Sequence, residues 1–521
     1  MSANGDPAQH VKPQAVEARD LQPDAREGQA GPPGVTDRPV VPSRPGNSGG
    51  GKGPEFKTNV RRGMRAGRLA MSLLPPPKVR KLQEALHAKA KGSPDYRFYA
   101  LYDKVYRRDV LEAAYARCRA NGGAPGIDRQ TFADIEAYGR DQWLDELAAE
   151  LKAKSYRPQP VRRVFIPKGD GKQRPLGIGA IRDRVAQMAV VLVLEPIFEA
   201  DLQPEQHAYR RDRNAQSAVL EVRELLACGY RDVVDADLSG YFDTIPHAEL
   251  MKSVARRVVD RRMLHLVKMW LEAPVEELDE RGLKRRTTTN RDAKKGIPQG
   301  SPISPLLSNL YMRRFILGWK QAGLERRLGA RIVNYADDLV ICCRGKGAVT
   351  ALESMRQMMT RLKLTINEEK TRTCRIPDDK FDFLGYTFGL CYWQKTGRAY
   401  IAPRPSKKSV KRMIEAVHVE TDRKTTWLDA EELVTRLNRK LGGWANYFCY
   451  GPVASAYRFI DWYTTNRLRR WLCKKHKQSG KGNERYPDEY LYKHLRLIRL
   501  PMLPKAFRGR RHDVLSESRM R

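Results

Sequence analysis

Arg331-Ile-Val-Asn-Tyr-Ala-Asp-Asp-Leu-Val-Ile-Cys342 sets two adjacent acids between two short apolar runs. Residues 331–335 and 339–343 therefore predict two strands joined by a tight turn. Asp is a common turn residue because its short side chain satisfies nearby backbone, so Asp337-Asp338 alone reads as turn chemistry or as a functional pair. A second stretch, Val233-Val-Asp-Ala-Asp-Leu-Ser-Gly-Tyr-Phe-Asp243, narrows the choice. Its apolar residues lead straight into Asp235 and Asp237, which alternate onto one face of a strand. Acids closing strands that look buried are costly unless paired or metal-bound.

Working outward, residues 163–167 predict another strand, and residues 215–227, 250–272 and 349–362 predict helices, with apolar residues every three or four positions. Strands and helices interleave without the even rhythm of a parallel βαβ barrel, so the expected class is α+β with an antiparallel sheet. Asp237, Asp337 and Asp338 on neighbouring strands suit two divalent cations. In nucleotidyl transfer one ion activates the attacking 3′-hydroxyl and the other steadies the leaving pyrophosphate. Hard oxygen donors with few protein contacts favour Mg²⁺.

These stretches resemble the palm motifs of reverse transcriptases: Asp237-Leu-Ser-Gly-Tyr-Phe-Asp243, Gly296-Ile-Pro-Gln-Gly-Ser-Pro-Ile-Ser-Pro305 and Tyr335-Ala-Asp-Asp338. Their order and spacing are similar to those of proteins encoded within bacterial group II introns. The resemblance extends through Gly123-Ala-Pro-Gly-Ile-Asp128, the segment from Phe165 to Ile178, the stretch around Lys370, Phe383-Leu-Gly-Tyr-Thr-Phe388 and Leu441-Gly-Gly-Trp-Ala-Asn-Tyr-Phe448. It covers about residues 96–508. It implies a right-hand polymerase: fingers over residues 96–230, palm over 231–390, and a basic helical thumb and maturase unit over 391–521. Asp237, Asp337 and Asp338 match the metal-binding acids. Lys168 and Arg174 match residues that grip the incoming triphosphate, where paired cations offset phosphate charge; a solvated basic hairpin is the plainer reading. Phe242 matches an aromatic that excludes a 2′-hydroxyl, against the alternative of a core Phe. Gln299 matches a residue touching nucleotide and template. Lys370 matches a proton donor to pyrophosphate, although a charged helix end looks the same. The family's Arg-Pro-Gly-Arg is replaced by Arg210-Arg-Asp-Arg213, and Ser239 and Gly442 also depart from the common pattern.

The chain's 97 Lys+Arg against 61 Asp+Glu leave a formal net charge of +36 over 521 residues, which favours a polyanionic partner, most simply nucleic acid. Eight scattered Cys without a Cys-x-x-Cys argue against a disulfide scaffold or zinc ribbon. No apolar run is long enough for a bilayer and no secretory signal opens the chain, so a cytoplasmic, nucleoid-associated ribonucleoprotein is expected. Residues 1–55, with nine Gly, nine Pro and a single Leu, read as a disordered tail, and residues 56–95 as a basic linker and helical extension. Residues 391–521 hold 30 Lys/Arg and 12 Asp/Glu, half the net charge in a quarter of the length. Asp429 is placed to N-cap a helix that Gly442-Gly443 would end. A helix over residues 453–477 then carries Tyr457, Phe459, Trp462 and Tyr463. It ends with Arg467, Arg470, Lys474 and Lys477 on one arc of about 80°. The arc reads as an RNA-binding face or as a solvated basic half-helix.

The sequence thus leads to an RNA-directed DNA polymerase and maturase that binds its group II intron RNA, assists splicing, and copies the intron by target-primed reverse transcription. Its expected partners are that RNA, a DNA target and primer, and deoxynucleoside triphosphates, with two Mg²⁺ ions. No endonuclease pattern follows residue 480, so the primer is expected to be an existing 3′ end. A free-standing reverse transcriptase and a non-enzymatic RNA chaperone on a dead polymerase fold are the rivals. The Trp444 region argues against the first and the intact acids against the second.

Overall fold

The structure, a computed structural model, describes residues 74–167, 173–278, 283–393, 396–480 and 482–503, all within one unit of the chain. The expected tail over residues 1–55 and the basic stretch before residue 74 lie outside the described residues, as does Lys168. In chain order, β1 (Val161–Pro167) and β2 (Gln173–Ile178) precede β3 (Asp232–Ser239), β4 (Val275–Leu278) and β5 (Lys284–Thr287). Next come β6 (Ala330–Tyr335), β7 (Asp338–Cys343), β8 (Thr365–Ile366) and β9 (Arg372–Arg375). The last are β10 (Phe381–Phe383), β11 (Tyr386–Tyr392) and β12 (Ala399–Pro405).

The central sheet runs β6-β7-β3-β8, with β9 also pairing β3, and every pairing in it is antiparallel. Its strands look continuously apolar because both faces are covered. Val233, Val333, Val340 and Cys342 face one core, packed by Val219 and Val222 of the helix Ala215–Ala227. Val234, Ile332, Leu339 and Ile341 face the other, with Phe315 and Trp319 of the helix Ser304–Gln321 and Met355 of the helix Ala348–Arg361. Two-residue periodicity assigns alternate side chains to separate cores. A second sheet, β2-β1-β4-β5, is antiparallel except for the parallel β1–β4 pair, and a third runs β10-β11-β12. The fold class is α+β, as expected.

Two helix expectations need correction. Residues 250–272 form two helices, His247–Ala255 and Arg261–Leu271. The break is held by long-range pairing: Val258 bridges Phe98, and the Asp260 carboxylate accepts from the backbone N–H groups of Leu101 and Tyr102 at 2.8 Å while capping Arg262 and Met263. The helix begun after Asp429 does not stop at Gly442-Gly443 but runs Ala430–Tyr447, and the Asp429 side chain makes no capping bond. Gly442 is buried there, with Ile498 covering the place a Cβ would take. Leu433, Leu437, Tyr457, Ile460 and Trp471 form the core of this C-terminal helical unit.

Arg257, 1% exposed, is a polar tie between the N-terminal helices and the central unit, beside the apolar core they share. Its guanidinium donates to the carbonyls of Ala90, Ser93, Pro94 and Tyr96, and its Nε lies 3.2 Å from the Asp201 carboxylate. An apolar replacement removes the side-chain donor from all four carbonyls; that of buried Ala90 loses a buried hydrogen bond, and Asp201 loses a buried cation. Arg257→Met is expected to lower the unfolding free energy by about 3 kcal/mol. Urea titration followed by circular dichroism measures it, and an unshifted midpoint would refute the assignment.

Candidate active site

The hairpin β6–β7 closes with Tyr335 opposite Asp338, leaving Ala336 and Asp337 as its two-residue loop. Ala336 has φ +58°, a left-handed conformation that costs a non-glycine residue about 1 kcal/mol and persists only where the surroundings impose it. Asn334 imposes it. Fully buried, its side-chain amide donates to the Ala336 carbonyl at 2.9 Å and to the Asp338 carbonyl at 3.3 Å. Its backbone is held between Glu205 and His207. The turn is thus locked from behind by a residue that carries no chemistry.

On the next strand, Asp237 is the direct cross-strand partner of Asp338. Asp235, two residues back on the same face, lies 3.4 Å from Arg372. Burial first, and then the charges of Asp337, Asp237 and Asp235, push the Asp338 carboxyl up to about 7. Burial likewise raises Asp235 to about 6, with Arg372 working against it. Asp237 accepts from Lys370 Nζ at 3.0 Å and from Asn367 Nδ2 at 3.1 Å. No three acidic, His or Cys side chains among the described residues already converge as a metal cage. The donor chemistry nevertheless fits a hard divalent cation: carboxylate oxygens on adjacent strands, crowded enough to resist full ionisation, need added positive charge.

Residues 296–300 stitch this floor to β2. Gly296 N donates to the Ile245 carbonyl at 2.9 Å and Ile297 N to the Phe242 carbonyl at 2.7 Å. Gly177 N, in β2, donates to the Gln299 carbonyl at 2.7 Å. Gly300 has φ +102°, and a Cβ there would sit 2.6 Å from the Gly177 carbonyl oxygen, so no other residue fits this approach. The Gln299 side chain bridges two charges: it donates to both Asp243 oxygens at 3.2 and 3.1 Å and accepts from Arg174 Nε at 3.0 Å. A carboxylate only accepts and a guanidinium only donates, so the two ends fix the direction of the amide.

Phe242 is 7% exposed and packs edge-on against Tyr241, whose hydroxyl donates to the Ser308 carbonyl. The structure therefore brings Asp237, Asp337, Asp338 and Lys370 together at the hairpin, and Gln299 with Arg174 beside it. Sequence reasoning missed Asn334, Asp243 as a bridging partner, and Tyr209. Tyr209 stands at φ +58°, and burial followed by the Asp337 charge pushes its hydroxyl up to about 12. A bulky residue next to a run of arginines carries no signal for that position; only the tertiary approach to Asp337 shows it.

The four C-terminal cations do not act alike. Arg467 is turned inward, its guanidinium bonding Thr421 Oγ1 at 3.0 Å and the Thr421 carbonyl at 2.9 Å at the end of the helix Lys407–Glu420. Arg470 and Lys474 are exposed on the helix Ala454–Lys475, and Lys477 lies past its end at φ +53°. Tyr457 is in the core, while Phe459 and Trp462 are exposed and stacked, ring centroids 6.0 Å apart at 23°.

Residues 166–388 match the family model described as reverse transcriptase (RNA-dependent DNA polymerase), and residues 410–487 match the group II intron, maturase-specific domain. Protein YkfC of Escherichia coli (strain K12) is 34% identical over 344 residues, 59% of this chain and 87% of that protein. The group II intron-encoded protein LtrA of Lactococcus lactis subsp. cremoris is 30% identical over 242 residues, 46% of this chain. A putative COX1/OXI3 intron 1 protein of Saccharomyces cerevisiae is 27% identical over 334 residues, 54% of this chain. The matched part spans 38% of the length of each of these last two relatives. For the Asp243–Gln299–Arg174 bridge, Asp243→Ala is expected to free the amide and raise the KM for deoxynucleotide in primer extension about 2–10-fold, the worth of one hydrogen bond. The kcat should change less, and an unaltered KM in steady-state kinetics would show that the bridge has no part in nucleotide binding.

Proposed function

We propose that this chain, which belongs to the reverse transcriptase (RNA-dependent DNA polymerase) family and carries its group II intron maturase-specific domain, binds the RNA of its own group II intron, assists splicing, and copies that RNA into DNA by target-primed reverse transcription. The observation that carries the reading is the cross-strand pairing of Asp237 with Asp338 beside the Asp337 turn, within the segment matched to the polymerase family. Residues 96–230 serve as fingers, 231–390 as palm and 391–521 as thumb and maturase unit. The copying reaction joins a primer 3′-hydroxyl to the α-phosphate of a deoxynucleotide and releases pyrophosphate.

Two Mg²⁺ ions held by Asp237, Asp337 and Asp338 would, when bound, activate the 3′-hydroxyl and stabilise the departing pyrophosphate. The remaining work belongs to the chain. Arg174, with its fork oriented by Gln299, pairs with phosphate oxygens of the incoming nucleotide, and Lys168, outside the described residues, adds charge. Lys370, on the Asp237 carboxylate, is within the acid cluster and positioned to return a proton to the leaving group. Phe242 closes the floor under the sugar. The intron RNA is met by the exposed cations Arg470, Lys474 and Lys477, with Arg467 holding the helix that presents them. No helix among the described residues is long and apolar enough to cross a membrane, and the reading places the ribonucleoprotein at the bacterial nucleoid, where the DNA target and primer lie.

Asp337→Ala is expected to abolish extension of oligo(dT) on poly(rA) in Mg²⁺ while intron RNA binding in a filter assay stays near wild type. Near-normal extension by that variant would remove Asp337 from the chemistry. Phe242→Val is expected to raise ribonucleotide incorporation relative to deoxynucleotide. An unchanged ratio in a folded, polymerising variant would return Phe242 to the core alone.

A further inference from the structure

A cavity of about 560 Å³ opens between the helices His247–Ala255 and Ser304–Gln321. None of its lining residues belongs to the acid cluster or to the nucleotide-gripping bridge. Five cations line it: Arg97, Lys252, Arg256, Arg313 and Arg314. Among the described residues two carboxylates answer them. Asp201 takes Arg256 and, from behind, buried Arg257; Glu249 takes Lys252 at 2.9 Å and Arg314 at 2.8 Å. Arg313 is held only through its Nε on the Asp201 backbone carbonyl at 2.7 Å, and Arg97 through the Ala255 carbonyl at 3.2 Å. Each of these two guanidiniums is therefore fixed in place by a backbone carbonyl, with no carboxylate ion pair among the described residues, and the cleft carries a surplus of positive charge. Burial first, and then the adjacent Arg256, lower the Arg313 pKa to about 10, with Asp201 working against them.

Such a site calls for an anion, and its chemistry favours phosphate. Planar guanidinium forks match phosphate oxygens two at a time. Between the cations lie Phe198, Leu310 and Leu317, an apolar floor suited to a sugar or base rather than to a bare ion. Arg97, Lys252 and Arg256 are exposed at the rim, so a polymer can pass through. The exposed helix-end carbonyl of Ala255, which would repel an anion, is already covered by Arg97.

We propose that this cleft is a second nucleic-acid subsite, on the opposite use of the polymerase unit from copying: it takes phosphodiester backbone of bound RNA away from the site of synthesis. This goes beyond the polymerase reading and rests on it only in that the chain binds RNA. The test uses the full chain and two double variants. In Arg313→Gln with Lys252→Gln, the deepest cation is neutralised; in Arg97→Gln with Lys252→Gln, both changes fall on exposed side chains and leave the fold alone. The probe is a 40-nucleotide unstructured RNA, titrated across several salt concentrations, with ATP as a competitor. Each double variant is expected to bind about 10-fold more weakly and to flatten the slope of log K against log salt by about 1.4, two contacts at ~0.7 each. Extension of oligo(dT) at saturating poly(rA) should keep its wild-type kcat. Equal slopes and affinities for the exposed double variant and wild type would overturn the subsite. ATP competing with RNA in the wild type, with that competition lost in the variants, would overturn the backbone assignment in favour of a free nucleotide. Flattened slopes with a wild-type chain that does not extend primers would support the cleft and reject the polymerase reading instead.

Discussion

Three negative charges at one end of a buried sheet are the constraint around which this molecule is arranged. Asp237 and Asp338 face each other across a strand pair and Asp337 sits in the adjoining turn, and burial together with these neighbours raises the cost of ionising Asp338. The chain contains the repulsion by proximity of cations, with Lys370 on Asp237 and Arg372 on Asp235, and by denying the backbone any freedom to splay. Asn334 clamps the turn, β9 covers the far side of β3, and helices bury both faces of the sheet. A looser frame would relieve the strain by separating the acids, and with it the capacity to gather divalent charge.

The second structural theme is that long-range polar ties sit at the seams. Arg257 joins residues 90–96 to the helix pair at 247–271, Gln299 joins the loop at 296–300 to β2, and Arg467 joins two helices of the C-terminal unit. In each case a donor-only group meets carbonyls or a carboxamide oxygen across a distance in sequence of 46 to 167 residues. The hydrophobic cores hold each unit together, whereas these bonds set how one unit meets the next.

Much of this was legible in the residues. The strands around Asp237 and Asp338 and the helix Ala215–Ala227 follow from local periodicity, and the acids from the cost of ending apolar strands in charge. What escaped is what depends on partners remote in sequence. Within residues 256–260 the one local signal is Asp260, which caps the helix that follows, and the break itself is held by the remote partners Phe98 and Leu101. Gly442-Gly443 looks like a helix end until Ile498 is seen beside it. Arg467 and Lys477 share an arc with Arg470 and Lys474 on an ideal helix, but one is drawn inward by Thr421 and the other falls beyond the last turn. Tyr457 and Trp462 are both aromatic, and only packing tells that one is core and the other surface.

The alternation of β3 and β7 between two cores has a consequence for how errors are tolerated. A one-residue slip in either strand would exchange valines and cysteines meant for one core with those meant for the other, and would turn its acids to the wrong face at the same moment. Volume and chemistry are therefore checked by the same register. A slipped strand would thus lose its fit to both cores and the arrangement of its acids together.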